Sequence, residues 1–246
     1  MLEGWSFRLY VTGRYACFTD PAFGAERYSY RVMTPEAARN LIEGIYWKPE
    51  FRYAVDSIEV LSEFRDETIM TNEVSDKVAP QNVTAVMGGR RDWLYLDSTS
   101  RRVQRMTTLL RDVAYVVTAH VVVPGDDRRE LAKHHNMLVN RAAKGQRHAD
   151  ESFLGMRGLF ADVRLVTRPG DRFHGYPGTV SEDDLPRGHY ADEPMVDLGW
   201  MVHHLEYRRD HEDAMRPVFF HAVMRSGVVD TRLAPEDMDR GEGVCA

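Results

Sequence analysis

The sequence predicts an α+β fold, with two amphipathic helices laid on one face of an antiparallel sheet. Three observations carry that expectation. Apolar runs of strand length recur at residues 7–12, 51–64, 113–123 and 161–166. Two stretches of helical spacing, after Thr34 and after Asp127, fall between those runs. The 246 residues, 43% hydrophobic and 28% charged, have the make-up of an ordinary globular protein large enough to bury its own core. A disulfide scaffold is excluded, because the chain has 2 cysteines, Cys17 and Cys245, far apart in sequence. No stretch reaches the ~20 apolar residues a membrane span needs, since the longest, 113–123, is interrupted by Thr118 and His120. With no charged-then-apolar pattern at the amino terminus, the expected location is the cytoplasm.

Each element has a local cause. Residues 7–12 alternate as a short strand, and 20–30, with Pro21 and Gly24, form a loop. Thr34 is placed to cap a helix, Pro35 suits its first position and Glu36 complements its positive end. Ala37, Ala38, Leu41, Ile42 and Ile45 supply its apolar stripe, and Pro49 stops it. Tyr53, Val55, Ile58, Val60 and Leu61 mark a strand over 51–64, bent or bulged where the alternation slips, and 68–74 is the arm that pairs back on it. Residues 75–111, with Pro80, Gly88, Gly89 and then Trp93, Leu94, Tyr95 and Leu96, are expected as a mobile loop holding one short strand. Residues 113–123 form the clearest strand, closed by Pro124 and Gly125. The second helix starts near Asp127, ends at Gly145 and turns Leu131, Leu138, Val139 and Ala142 to one face. With the strand at 161–166, residues 1–167 have the element order of a ferredoxin-like split unit carrying a basic insertion near 75–111. Residues 168–197 are expected as a linker or long surface loop, 198–230 as a small antiparallel β region with strands at 198–207 and 218–225, and 231–246 as a disordered tail.

Charge is unevenly spread. Residues 1–150 carry a balance of +1 and residues 151–246 a balance of −7. Within the first part, Arg90, Arg91, Arg101, Arg102, Arg105 and Arg111 face only Asp92 and Asp97, which makes this segment a candidate for facing phosphate. Of the 32 basic residues 28 are arginine; a planar fork suits a nucleic acid, and an arginine-rich codon usage gives the same excess. The motifs of nucleotide-binding and zinc-peptidase enzymes, a phosphate loop, a dinucleotide glycine pattern or a helical His-Glu-x-x-His, are missing, and no metal or cofactor is expected. His203 and His204 sit on an expected strand and so point to opposite faces. The remaining cluster is Lys133-His134-His135 near the start of the second helix. At about 100° per residue His135 falls among the apolar positions, His134 lies on the flank open to a ligand, and Lys133 faces away.

Several blocks occur in a consistent order: Met33-Thr34-Pro35-Glu36-Ala37-Ala38-Arg39, Glu43-Gly44-Ile45-Tyr46-Trp47-Lys48-Pro49, Asn72-Glu73-Val74, Lys133-His134-His135 with Arg141, and Leu198-Gly199-Trp200-Met201. On these the chain, over roughly residues 5–230, resembles a CRISPR-associated protein of the fifth Cas family, subtype I-C. The resemblance implies a RAMP-type, RRM-like fold and an endoribonuclease. It would cut precursor CRISPR RNA within the repeat, without metal, and stay on the 5′ handle beside the backbone and large subunits of the interference complex. The family's catalytic tyrosine, lysine and histidine match Tyr46, Lys133 and His134. Trp47, Lys48, Arg105 and Arg141 are the candidate RNA contacts, and no membrane partner is implied. The chain departs from the family in having Met70-Thr71 before Asn72, where an arginine is usual, and in a loosened block at 152–158; both bear on handle contacts.

The residue types fit that chemistry. Cleavage by the ribose 2′-hydroxyl needs proton removal, charge stabilisation at phosphorus and protonation of the leaving 5′-oxygen. Histidine titrates near neutrality, lysine offsets developing negative charge, and tyrosine, with an ordinary pKa of about 10, is a donor or orienter. Two other classes remain: a non-catalytic subunit that binds the 5′ handle while another protein cuts, and an unrelated metabolic enzyme on a ferredoxin-like fold.

Overall fold

The computed structural model describes residues 5–24, 26–75, 77–90, 93–95, 97, 99–148, 151–207, 215–232 and 238–239. In chain order these form β1 (Ser6–Ala16), β2 (Arg27–Tyr28), α1 (Pro35–Ile45), β3 (Arg52–Val60), β4 (Asp66–Val74), α2 (Pro80–Met87), β5 (Arg102–Val122) and α3 (Arg128–Ala143). There follow β6 (Asp162–Thr167), β7 (Thr179–Ser181), β8 (Val196–Tyr207), β9 (Met215–Arg225), β10 (Val228–Asp230) and β11 (Met238–Asp239). All the strands belong to one 11-stranded mixed sheet, and the fold class is α+β.

The centre of the sheet is the antiparallel order β6-β1-β5-β3. Alternate residues of β1, Phe7, Leu9 and Val11, turn to the helix-covered core, where they meet Ile42, Ile45, Ile58, Val117 and Leu138. Helix α1 packs on β3 and β8, α3 on β5 and β6, and the two helices touch. Their starts follow the predicted chemistry. Thr34 Oγ1 accepts from the Ala37 N–H at 3.2 Å, Pro35 stands at the first helical position, and the Asp127 carboxylate accepts from the Arg129 and Glu130 N–H groups. The predicted slip in β3 is a register shift between Val55 and Ser57.

Three expectations are corrected. Residues 102–111 are not loop: β5 is a single strand of 21 residues, bent at Asp112 (φ 53°). Its second half lies in the core between β1 and β3, and its first half forms a mostly exposed arm. The partner in that arm is β4, which pairs with β5 from Asp66 to Val74 and not with β3. His203 and His204 do not point apart: a register shift after Val202 brings their Nδ1 atoms to 2.9 Å.

Residues 168–197 are docked on the sheet, where β7 adds to β6 in parallel and Gly178 N–H donates to Ala143 O at 2.9 Å. The pair β8–β9 joins the main sheet through β10, which lies between β9 and β3. Of the expected tail, Thr231 is buried with its hydroxyl donating to Val55 O, and Met238–Asp239 pairs with β9. Tail residues 233–237 and 240–246, the turn between β8 and β9, and Arg91, Asp92 and Leu96 lie outside the described residues.

Candidate active site

Two helix ends and the chain after Pro49 build the site. Tyr46 is the residue at which α1 stops: its backbone turns extended (φ −153°, ψ 126°) while its N–H still donates to Ile42 O. That turn sends the side chain toward α3 and leaves its carbonyl facing the core, where Tyr53 Oη donates to it at 2.7 Å. Two turns into α3, His134 meets the tyrosine, with Nδ1 3.0 Å from Tyr46 Oη. Phe51 packs on both, its ring centroid 4.3 Å from His134 and 5.5 Å, nearly parallel, from Tyr46. Arg141 lies two turns beyond His134 on the same face of α3, with its guanidinium carbon 5.8 Å from the tyrosine ring centre, a cation–π distance.

The charges lie at the solvent side. Glu130 Oε2 accepts from Lys133 Nζ at 2.7 Å and lies 3.3 Å from His134 Nε2, so one carboxylate touches both residues of the Lys-His pair. The hydrogen bond from Lys133 holds the Glu130 carboxyl below its ordinary range, and the same bond raises the Lys133 ammonium. Burial pushes the Tyr46 phenol above its ordinary value. Lys133 keeps 57% of its side chain exposed, whereas Tyr46 is 5% and His134 2% exposed. The buried Tyr46–His134 pair thus lies behind an exposed Glu–Lys ion pair.

The three expected catalytic residues are therefore together, but His134 is not on an open flank. His134, placed on the open flank by helical phase, is buried against Phe51, while His135 is half-buried beside Trp5. The reason is tertiary: an aromatic partner 83 residues earlier captures His134 and sets the roll of α3. Trp47 and Lys48 follow Tyr46 on the surface and Arg141 stacks over it, so three of the four candidate RNA contacts surround the site. Arg105 does not. It stands on the β4–β5 arm, paired with Glu73 at 3.3 Å, and Glu73 also binds Arg27 at 2.9 Å. The sequence reading missed Glu130, Phe51 and Tyr53. For Glu130 a signal was present, because positions three and four before Lys133 and His134 share a helix face with them.

Comparison with known proteins identifies the family. A family model described as CRISPR-associated protein (Cas_Cas5) matches residues 7–232. A relative from Mannheimia succiniciproducens, named CRISPR pre-crRNA endoribonuclease Cas5d, is 35% identical over 228 residues, covering 91% of this chain and 93% of its own. A second of the same name, from Thermus thermophilus, is 33% identical over 232 residues, 88% of this chain and 87% of its own. Among solved structures, one of a CRISPR-associated protein superposes with a TM-score of 0.62 at 22% identity, covering 95% of this chain and 94% of that one. A functionally uncharacterized protein from Streptococcus mutans gives 0.59 at 22% identity, with 94% and 93% covered. On the match of the family model over residues 7–232 and relatives more than 30% identical across most of its length, this chain belongs to the Cas5d family of CRISPR-associated proteins.

Proposed function

We propose that this protein is a cytoplasmic endoribonuclease that cuts precursor CRISPR RNA within the repeat, without a metal ion, and remains on the 5′ handle. It would then serve as a subunit of the type I-C interference complex, against the backbone and large subunits. The observation that carries this reading is the buried Tyr46–His134 contact of 3.0 Å with Lys133 at its mouth. Those groups supply what internal cleavage of RNA needs: a proton carrier at the 2′-hydroxyl and a cation for the phosphate. Lys133 reaches the scissile phosphate by exchanging its partner, leaving Glu130 for the RNA. Trp47 offers a stacking face, and Lys48, Arg105 and Arg141 offer cations to the backbone. The strand order β6-β1-β5-β3 with α1 and α3 on it supports a ferredoxin-like RAMP unit over residues 1–167, to which 198–230 adds a smaller β region.

One observation favours a second reading, a handle-binding subunit that does not cut: Tyr46 and His134 are nearly inaccessible until the ion pair above them opens. The test is incubation of wild-type, Tyr46→Phe and His134→Ala protein with the organism's own repeat RNA in excess chelator. The expected result is one discrete cut leaving a 2′,3′-cyclic phosphate and a 5′-hydroxyl, lost in both variants while RNA binding persists. Tight binding by all three without cleavage establishes the second reading.

A further inference from the structure

His134 has an unsettled end. Its Nδ1 faces the Tyr46 hydroxyl, but its Nε2 is buried and makes no hydrogen bond of good geometry among the described residues. The polar atom facing that nitrogen is Glu130 Oε2, 3.3 Å away and one helical turn earlier. A neutral imidazole carries its proton on one nitrogen and accepts on the other, and an ionised carboxylate only accepts. A carboxylate at Nε2 therefore decides what Nδ1 is able to do.

We propose that Glu130 is a positioning residue for the cleavage reaction, acting through His134: its carboxylate keeps the proton on Nε2 and so leaves Nδ1 as an acceptor aimed at Tyr46 Oη. The inference rests on the nuclease reading above. The surroundings hold the arrangement in place. The Glu130 N–H is tied to the Asp127 cap at 3.3 Å, Lys133 binds the same carboxylate oxygen at 2.7 Å, and Phe51 packs on the imidazole at 4.3 Å. In the RNA-free protein Lys133 also favours the ionised carboxyl.

The consequence is a direction for the proton. With Nδ1 accepting, the Tyr46 hydroxyl points its hydrogen at His134 and turns its lone pairs outward. The substrate 2′-hydroxyl gives its proton to Tyr46 Oη as the tyrosine passes its own to Nδ1. The 2′-oxygen bonds to phosphorus and the bond from phosphorus to the 5′-oxygen breaks. The leaving oxygen takes a proton from solvent water, and the imidazolium returns its extra proton to the hydroxide so formed. A buried histidine thus works without touching RNA, and Glu130 faces the positive charge it holds in between.

The test has two readouts. Long-range ¹⁵N–¹H correlation of the imidazoles in the full chain, with His134 assigned by its loss in His134→Ala, reports the tautomer whether or not the protein cuts RNA. Wild type is expected to show the Nε2–H form, and Glu130→Ala a mixture. In single-turnover cleavage of repeat RNA, Glu130→Ala is expected to lose about 100-fold in rate, the lower end of what an acid–base group supplies. Its RNA affinity is expected within about twofold of wild type, with Glu130→Gln between the two in rate. A background of Lys133→Ala should preserve the loss and a background of His134→Ala should abolish it. A wild-type Nδ1–H tautomer, a spectrum unchanged by Glu130→Ala, or a full additional loss in the His134→Ala background overturns the inference. Absence of cleavage by wild-type protein overturns the nuclease reading instead, and the spectra still decide the tautomer.

Discussion

Replacing Tyr53 with phenylalanine isolates one atom that ties the site to the core. The ring keeps its edge contacts with Phe51, at 5.1 Å, and Phe7, at 6.1 Å, so packing is conserved and only the hydroxyl goes. That hydroxyl is buried and donates at 2.7 Å to the carbonyl of Tyr46, whose backbone has just left α1. Losing a hydrogen bond costs about 1 kcal/mol net, and stranding a buried carbonyl adds about 1–3 kcal/mol. A loss near 2 kcal/mol is expected, which in a chain of 246 residues lowers Tm by about 4–8 °C. Tyr46 loses its backbone anchor at the same time, and displacement of a reacting group by about 1 Å costs up to about 100-fold in rate. Thermal unfolding followed by circular dichroism, together with single-turnover cleavage of repeat RNA at 25 °C, reads both. The expected pattern is a lower Tm and a slower cut with unchanged RNA affinity. A Tm within 1 °C of wild type (at most about 0.5 kcal/mol) would refute the view that this hydroxyl holds the end of α1.

Three further outcomes follow from the structure. Burial holds the imidazoles of His135 and His203 below the ordinary 6.5. The unfolded chain therefore takes up protons near pH 6.5 that the folded one refuses. Stability should fall as pH drops below about 6.5 and level off beneath the folded pKa values, with at most about 1.4 kcal/mol per pH unit for each imidazole. Urea midpoints at pH 7.5, 6.5 and 5.5 should flatten in the His135→Gln, His203→Gln double variant, and an equally steep profile there contradicts the assignment. A Cβ at Gly178 would lie 2.1 Å from Ala142 O and 2.5 Å from Gly145 N, both backbone atoms, so Gly178→Ala should cost about 3 kcal/mol, seen as a fall in Tm. Arg105→Ala should weaken binding of single-stranded repeat RNA and reduce the salt slope by roughly 0.7; an unchanged slope means that Glu73 keeps the guanidinium from phosphate.

What was legible in the sequence is what local chemistry decides. The start of α1 follows from Thr34, Pro35 and Glu36, which act within one turn. The core half of β5 follows from a β-branched run that only a doubly flanked strand accommodates. Its outer half was hidden because 102–111 has little to bury: Met106 is exposed and Arg102, Gln104 and Arg105 give no apolar alternation. The choice of β5 over β3 as the partner of β4 is a matter of topology, which a hairpin pattern in 51–74 does not contain. In the candidate site, the nearness of Tyr46, Lys133 and His134 was expected through family resemblance, yet their exposure was not legible. Helical phase placed His135 among Leu131, Leu138, Val139 and Ala142 and His134 on the flank, and Phe51, from a different element, buried His134 instead.

The position of β1 also governs how this chain reaches its structure. Its two neighbours are β5, paired from Ser6 with His120 to Ala16 with Leu110, and β6, paired from Leu9 with Leu165 to Thr12 with Asp162. The nearer of them, β5, follows β1 by about 100 residues, which at ~5–20 residues per second takes roughly 5–20 s to synthesise. Throughout that interval the first strand has no hydrogen-bonding partner, and α1 has no sheet to lie on. Such distant pairing belongs to slow-folding topologies. The apolar face of Phe7, Leu9 and Val11 waits in the nascent chain for its neighbours, and until they arrive it is exposed to wrong partners.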